Sequence, residues 1–231
     1  MSKIVGIVAP GTLYTTTNSR EDVYPFGNNY AKRVTECGAI PMGILPADGW
    51  TTEEALERCD AFLICGGKKN WPYHFQVVEH ALRTGKPLLG ICLGMQTIHR
   101  VFKTLDYMEE NGLTGDVWTA YEQWRGETPS FLLEDVENHW GQMVNGKEDE
   151  CKHPVMLKEG CNLQKITGKS TVYGGSFHRY RVTDPSPRLD VTGLAEDGTI
   201  EVMEYKDQIL GVQFHPEIDK DLFAIFEKFF G

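Results

Sequence analysis

Hydrophobic and polar positions in the first hundred residues alternate between two periods. Lys3–Ala9 (KIVGIVA) is a short apolar run ahead of Pro10-Gly11 and predicts a buried strand. Within Asn29–Cys37, Tyr30, Val34 and Cys37 recur at helical spacing, and Gly38 supplies a helix stop. Ala39–Leu45 again reads as a strand. Thr51-x-x-Glu54 has the form of a capping box opening a short helix through Leu56. Ala61–Cys65 is an apolar strand ending at Gly66-Gly67. Phe75–Thr84 predicts a helix with Val77, Val78, Ala81 and Leu82 on its apolar face and Gly85 at its end. Pro87–Cys92 (PLLGIC) predicts a fourth strand, and Met95, Ile98 and Phe102 mark the face of the next helix. Continuous apolar strands alternating with helices indicate a parallel sheet covered on both faces. Such sheets carry their working groups at the carboxyl ends of the strands, where Gly66-Gly67 and Cys92 fall.

After Lys103 the pattern changes. Residues 104–152 hold 12 acidic and 3 basic residues, interleaved with Trp118, Tyr121, Trp124 and Trp140. This stretch is a candidate lid, insertion or partner surface, or a solvated excursion whose aromatics pack back on the core. The last third is β-rich. Thr171–Tyr173, Asp190–Ala195, Ile200–Tyr205 and Ile209–Phe214 are predicted strands, with Asp197-Gly198 as a hairpin turn. Asp219–Phe230 predicts a closing amphipathic helix. No repeat, low-complexity segment or linker interrupts the chain, so residues 1–231 read as one domain.

Composition narrows the function classes. The 231 residues carry 23 basic and 33 acidic side chains, a net charge of −10, which disfavours nucleic acid and anionic membranes as partners. No apolar run approaches the roughly 20 residues of a membrane span. Met1–Pro10 lacks the features of a signal peptide, so a cytoplasmic location is expected. Cys37, Cys59, Cys65, Cys92, Cys151 and Cys161 form no C-x-x-C pair and are expected to be reduced thiols. Cysteine and histidine show no metal-ligand spacing. No metal or cofactor is expected, and His74, His80, His99, His139 and His153 read as ordinary surface or core residues, with His153-Pro154 beginning a strand turn.

One cysteine stands apart. Gly90-Ile91-Cys92-Leu93-Gly94 has the G-x-nucleophile-x-G pattern at a strand–helix junction, where glycines relieve crowding around a strained turn. The turn sets Cys92 at the positive end of the following helix, an environment that favours a thiolate. Taken alone, the motif fits a buried cysteine in a tight turn equally well. His215-Pro216-Glu217 follows the strand Ile209–Phe214. In an extended segment residues i and i+2 point the same way, so Glu217 can orient His215 as a base for Cys92. The backbone N–H of Leu93, just after the nucleophile, and a second from the Gly66-Gly67 turn, taken at Gly67, are candidate oxyanion donors.

With these motifs in order, the chain resembles the class I glutamine amidotransferase superfamily, and within it the γ-glutamyl-hydrolase-like branch (peptidase C26). The likeness runs through Asn29-Tyr30, Gly38-Ala39-Ile40-Pro41, Leu45-Pro46, Gly66-Gly67, Gly90–Gln96 (GICLGMQ), Ser176-Phe177-His178, Glu196–Glu201 and Gly211–Glu217. The resemblance implies a flavodoxin-like three-layer α/β sandwich with a mostly parallel central sheet and a β-rich C-terminal third. It implies a Cys92–His215–Glu217 triad that cleaves a γ-glutamyl amide through a glutamyl thioester. Gly66, Gln96, Ser176, Phe177 and His178 would help bind the glutamyl group. Four features depart from the hydrolase branch: Leu93 stands where it usually has arginine, Lys68-Lys69 follow the glycine pair in place of an acidic residue, Arg179-Tyr180 replace the usual histidine and glutamine, and residues 104–152 are longer and more acidic than the resemblance implies. The reading favoured here is a free-standing hydrolase of a small γ-glutamyl compound. The alternative is a glutaminase subunit that delivers ammonia to a separate synthetase partner, toward which Leu93 leans. Oligomeric state and the leaving amine are left open.

Overall fold

A computed structural model describes residues 1–13, 22–126, His139 and 152–231, together with the backbone of three two-residue strands between residues 134 and 148. Five strands follow the predicted pattern: β1 (Ile4–Val8), β2 (Ile40–Gly43), β3 (Ala61–Ile64), β4 (Leu88–Ile91) and, from near the chain end, β13 (Ile209–Val212). They lie side by side in the order β2-β1-β3-β4-β13, all parallel. The sheet then continues through β12 (Ile200–Tyr205), β11 (Asp190–Ala195), β8 (Lys152–Leu157) and β9 (Thr171–Gly175), all antiparallel. The short strands β5 (Glu134–Asp135), β6 (Met143–Val144), β7 (Lys147–Glu148) and β10 (Tyr180–Arg181) form two separate pairs, β5 with β10 and β6 with β7. The expected α/β sandwich with a β-rich C-terminal third is therefore the architecture found.

Period-two alternation sorts the core into two layers. Val5, Ile7, Ala61, Leu63, Leu89, Ile91, Leu210 and Val212 face one cluster, shared with α1 (Asn28–Glu36), α6 (Asn162–Thr167) and α7 (Ala224–Phe230). Val8, Phe62, Ile64, Leu88 and Ile209 face the other, shared with α3 (Pro72–Thr84), α4 (Leu93–Glu110) and α5 (Val117–Trp124). Strands buried on both faces are why the parallel half reads as unbroken apolar runs. The antiparallel half curls back on itself. The end of β9 reaches the segment after β13, where the His215 N–H donates to the Gly175 carbonyl at 2.9 Å.

Several local expectations shift. Helix α2 (Glu53–Glu57) is capped by Thr52, whose side chain accepts from the Ala55 N–H, rather than by Thr51. The Thr51 N–H instead donates to Gln76 Oε1 at 2.9 Å. Helix α3 begins one turn early because Pro72 fits the first helical position. The closing helix is shorter than Asp219–Phe230. Two 3-10 turns, Pro216–Ile218 and Lys220–Leu222, precede α7, and the Asp219 side chain accepts from the Asp221 N–H, a local bond that competes with helix. His153-Pro154 lies inside β8 rather than at a turn. Pro154 falls one residue beyond the pairing of β8 with β11, where its missing N–H costs no ladder bond.

The front of the acidic stretch packs back on the core. Residues 104–110 extend α4, and α5 packs on α3 and α4 through Trp118 and Tyr121 against Phe75 (ring centroids 5.0 Å in both cases) and Trp124 against Tyr107 (4.7 Å). Trp140, Cys151 and most of residues 127–151 lie outside the described residues. Among the described residues no helix is long and apolar enough to cross a membrane.

Candidate active site

Strand β4 runs directly into α4 through Cys92, whose backbone takes φ 52° and ψ −101°. That conformation is unfavourable for a residue with a Cβ, at roughly 1–3 kcal/mol. The neighbouring glycines show why the turn holds. A Cβ on Gly94 would stand 2.5 Å from the Ile64 carbonyl oxygen, and one on Gly90 would meet Ile98 at 2.6 Å and the Gly94 backbone at 2.7 Å. The helix therefore packs directly on the strands, and the Cys92 N–H is held by the Val212 carbonyl at 2.8 Å.

That bond ties the ends of two adjacent parallel strands together. Gly90 pairs with Gly211 and Ile91 with Val212, so β13 delivers His215 beside Cys92. His215 Nδ1 lies 2.7 Å from Glu217 Oε1. Since a carboxylate accepts, Nδ1 carries a proton, and the ring lies beside the Cys92 side chain. Burial opposes a charge on His215, yet Glu217 and the Cys92 sulfur outweigh it and push its pKa up to about 10. A Cβ on Gly66 would stand 2.8 Å from His215 Cε1 and 3.5 Å from Cys92 Cβ, so the glycine is what lets the three elements meet.

Glu217 is fixed from behind by α1. Arg33 Nε donates to the Glu217 carbonyl at 2.9 Å, and the buried Tyr30 hydroxyl lies against the Glu217 carboxylate. Burial and the Glu217 charge both hold Tyr30 protonated. The same hydroxyl accepts the Gly66 N–H at 3.0 Å. That occupies one glycine N–H and leaves Gly67 as the donor of the pair to a reacting group. Leu93 is the first residue of α4, so its N–H has no intrahelical acceptor.

A cavity of about 350 Å³ opens over the sulfur, lined by Gly67, Lys68, Cys92, Gln96, Phe177, His178, Arg179 and Tyr180. The expected nucleophile, base, carboxylate and glycines are thus brought to one place, with two of the three residues of Ser176-Phe177-His178 on its wall.

A model of the peptidase C26 family matches residues 72–217, which span both Cys92 and the His215–Glu217 pair. The chain belongs to the peptidase C26 family. Its relatives include the CTP synthase of Methanothermobacter thermautotrophicus, 30% identical over 190 residues that cover 75% of this chain and 33% of that one. The HisH subunit of imidazole glycerol phosphate synthase from Ruegeria pomeroyi is 30% identical over 174 residues, covering 75% and 69%. The chain spans about a third of the length of the CTP synthases it matches. In fold it is similar to the glutaminase domain of Trypanosoma brucei CTPS, solved with acivicin bound, with a TM-score of 0.66 at 16% identity over 99% of this chain and 92% of that one. A glutamine amidotransferase of Thermotoga maritima gives 0.58 at 17% identity over 94% and 77%. The fold is that of a class I glutamine amidotransferase domain.

Not every residue expected at the site of this C26 chain faces the cavity. Ser176 is fully buried and its hydroxyl donates to the His139 carbonyl at 2.9 Å, so it braces the wall from behind. Phe177 packs edge-on to His215, with ring centroids 5.5 Å apart. Gln96 lines the cavity, and its Nε2 donates to Gln213 Oε1 at 3.2 Å. The Lys68-Lys69 pair divides: Lys68 lines the cavity, while Lys69 stacks on the Trp71 ring 4.0 Å away. His178 contributes to the wall, but its ring turns toward His139, His153 and Glu201. Tyr30 and Arg33 were not signalled as site residues by sequence, since on a helix they read as one core position and one surface cation. His139 and His153 do not stand alone. They join His178 and Glu201 from four separate segments, which ligand spacing along the chain does not register.

Proposed function

We propose that this chain is a glutaminase that hydrolyses the γ-carboxamide of glutamine through a glutamyl thioester and passes the ammonia to a separate synthetase. The observation that carries the chemistry is the meeting of Cys92 with the His215–Glu217 pair above the cavity, at the ends of two adjacent strands. In this mechanism His215, with its raised pKa, already holds the proton taken from Cys92, and the sulfur attacks the γ-carbonyl carbon. The oxyanion that forms is met by the N–H groups of Leu93 and Gly67. His215 returns the proton to the amide nitrogen, the C–N bond breaks and ammonia leaves. Water then attacks the thioester, with its proton passing to His215, and glutamate departs as the thiol is restored. Glu217 holds the imidazole in the tautomer that faces the sulfur and stabilises its charged form. Lys68 and Arg179 on the cavity wall suit the α-carboxylate of glutamine.

The synthetase half of the proposal draws on the relatives, which are synthases or a synthase subunit. Leu93 after the nucleophile points the same way. The free-standing hydrolase favoured from sequence draws no comparable support. An activity panel separates the two. Purified protein is offered glutamine and a set of γ-glutamyl amines, with and without cell extract, and glutamate, ammonia and amine are measured. Slow glutamine hydrolysis that rises with a protein fraction supports the glutaminase. Rapid release of amines without that fraction, and little turnover of glutamine, overturns it in favour of the hydrolase.

A further inference from the structure

We propose that His139, His153, His178 and Glu201 hold one divalent transition-metal ion, zinc in character, as a structural site that pins the wall of the cavity. The four side chains come from the segment at residue 139, from β8, from the loop after β9 and from β12, and one ligand atom of each lies within 4.8 Å of all the others. His139 Nδ1 to His178 Nε2 is 3.2 Å, His139 Nδ1 and His178 Nε2 are each 3.2 Å from Glu201 Oε1, and His153 Nε2 is 3.5 Å from it. Ligand atoms about 2.0–2.1 Å from a tetrahedral zinc ion stand about 3.3 Å apart along the tetrahedron's edges. Four of the six separations match that edge, and the two from His153 to the other imidazoles lie within 4.8 Å.

The outward contacts of the rings decide what the inner atoms are. His178 Nδ1 faces the Tyr180 carbonyl at 3.0 Å, His139 Nε2 faces Asp197 Oδ2 at 3.2 Å, and His153 Nδ1 faces the Pro154 carbonyl at 3.5 Å. Carbonyl and carboxylate oxygens only accept, so each outer nitrogen carries the ring proton. The three inner nitrogens then present lone pairs to one another and to a carboxylate. Four acceptors facing one point repel. A proton relieves one pair of them at a time, whereas a cation at the centre satisfies all four. Among the described residues, the second oxygen of Glu201 and Nε2 of His153 are buried without a hydrogen-bond partner, and Glu201 is fully buried. A carboxylate in that position needs a positive partner.

The supporting layer has the form metal sites use. Asp197 orients His139 and is itself fixed by the Thr199 N–H at 2.9 Å and the Thr199 hydroxyl at 3.0 Å, within the β11–β12 turn. Three nitrogens and one carboxylate oxygen, with side-chain exposures of 6%, 19%, 1% and 0%, make a closed set with no open position, which marks a structural rather than a catalytic ion. Through His178 the ion would anchor Phe177, Arg179 and Tyr180, which line the cavity above Cys92. The proposal stands independently of which amide the enzyme cleaves.

The test uses the full chain without an affinity tag, purified without chelator, then stripped and reloaded with zinc or cobalt alone. The expected result is one ion per chain, a higher melting temperature for the loaded form and the intense visible bands of tetrahedral cobalt. Cys92→Ala should keep the ion, which separates this site from the catalytic thiol. Glu201→Gln and His178→Ala should lose it, and Asp197→Asn should weaken zinc binding by roughly 10–100-fold. Should Glu201→Gln or His178→Ala fail to fold, stripped and reloaded wild-type protein and Asp197→Asn carry the test. Loaded wild-type protein with less than stoichiometric metal and an unchanged melting temperature would overturn the proposal, as would an ion lost in Cys92→Ala or retained in Glu201→Gln.

Discussion

Tyr30 and Gly66 are joined by one hydrogen bond, the glycine N–H donating to the phenol oxygen at 3.0 Å. The same phenol lies against the Glu217 carboxylate, so α1, the β3 turn and Glu217 meet at a single hydroxyl. Tyr30→Phe would leave the Gly66 N–H buried without its acceptor, at a cost of about 1–3 kcal/mol. Urea unfolding should show that loss. Glutamine turnover should fall through kcat more than through KM, because the hydroxyl braces Glu217 and does not line the cavity.

Removing the Cys92 thiol separates chemistry from folding. Cys92→Ala is expected to lower glutamate release by roughly 10⁴-fold or more, with circular dichroism unchanged. Cys92→Gly should be as inactive and more stable than Cys92→Ala, since glycine accepts φ 52° without strain. A gain of about 1 kcal/mol would raise the melting temperature by roughly 2–4 °C in a chain of this size. Equal melting temperatures for the two variants would argue against strain at the turn.

His215 has a pH signature of its own. His215 is raised from an ordinary 6.5 to about 10 in the folded protein. A raised pKa means that the folded state binds the proton more tightly than the unfolded chain. The stabilisation is present in full below about pH 6.5, declines as the pH rises, and is gone above about 10. Wild-type protein should therefore lose stability against His215→Asn across that window, read from unfolding curves at several pH values. A constant difference between the two would contradict the raised value.

Two glycine substitutions should fail in different ways. Gly66→Ala places a methyl 2.8 Å from the His215 ring, which can turn aside, so activity should fall by about 10²-fold or more with modest loss of stability. Gly94→Ala places one 2.5 Å from a backbone carbonyl of β3, which cannot move without opening the sheet. That variant should unfold at lower denaturant or fail to accumulate, by an overpacking cost of about 1–3 kcal/mol or more.

Glu217→Gln tests the orienting carboxylate. The amide keeps the shape but loses the charge that holds His215 protonated, so kcat should fall, and by less than in His215→Ala, which removes acid and base together. Matching losses in the two variants would assign Glu217 a larger share of the chemistry than orientation.

What could be read along the chain was whatever a single segment expresses. The apolar runs of β1, β3 and β4 announced a sheet buried on both faces, and Gly90–Gly94 announced a sharp turn, because each pattern is complete within a few residues. His215 and Glu217 were readable as a pair because i and i+2 share a side of an extended strand. The capping of α2 and the start of the last helix were misplaced by a few residues, because neighbouring Thr51 and Thr52, or Asp219 and Phe223, offer competing starts that only their side-chain contacts separate.

The sequence by itself determined the class of fold, the sharp turn at Cys92 and the pairing of His215 with Glu217. Only the tertiary structure decided that β13 lies beside β4, which sets His215 against Cys92. It also put Arg33 and Tyr30 behind Glu217, turned Ser176 away from the cavity, and gathered His139, His153, His178 and Glu201 at one point. The physical reason is range. Hydrophobic period and turn chemistry act over a few residues, and the chain spells them out. Strand order and convergent polar clusters depend on which distant surfaces bury each other, and no local pattern carries that information.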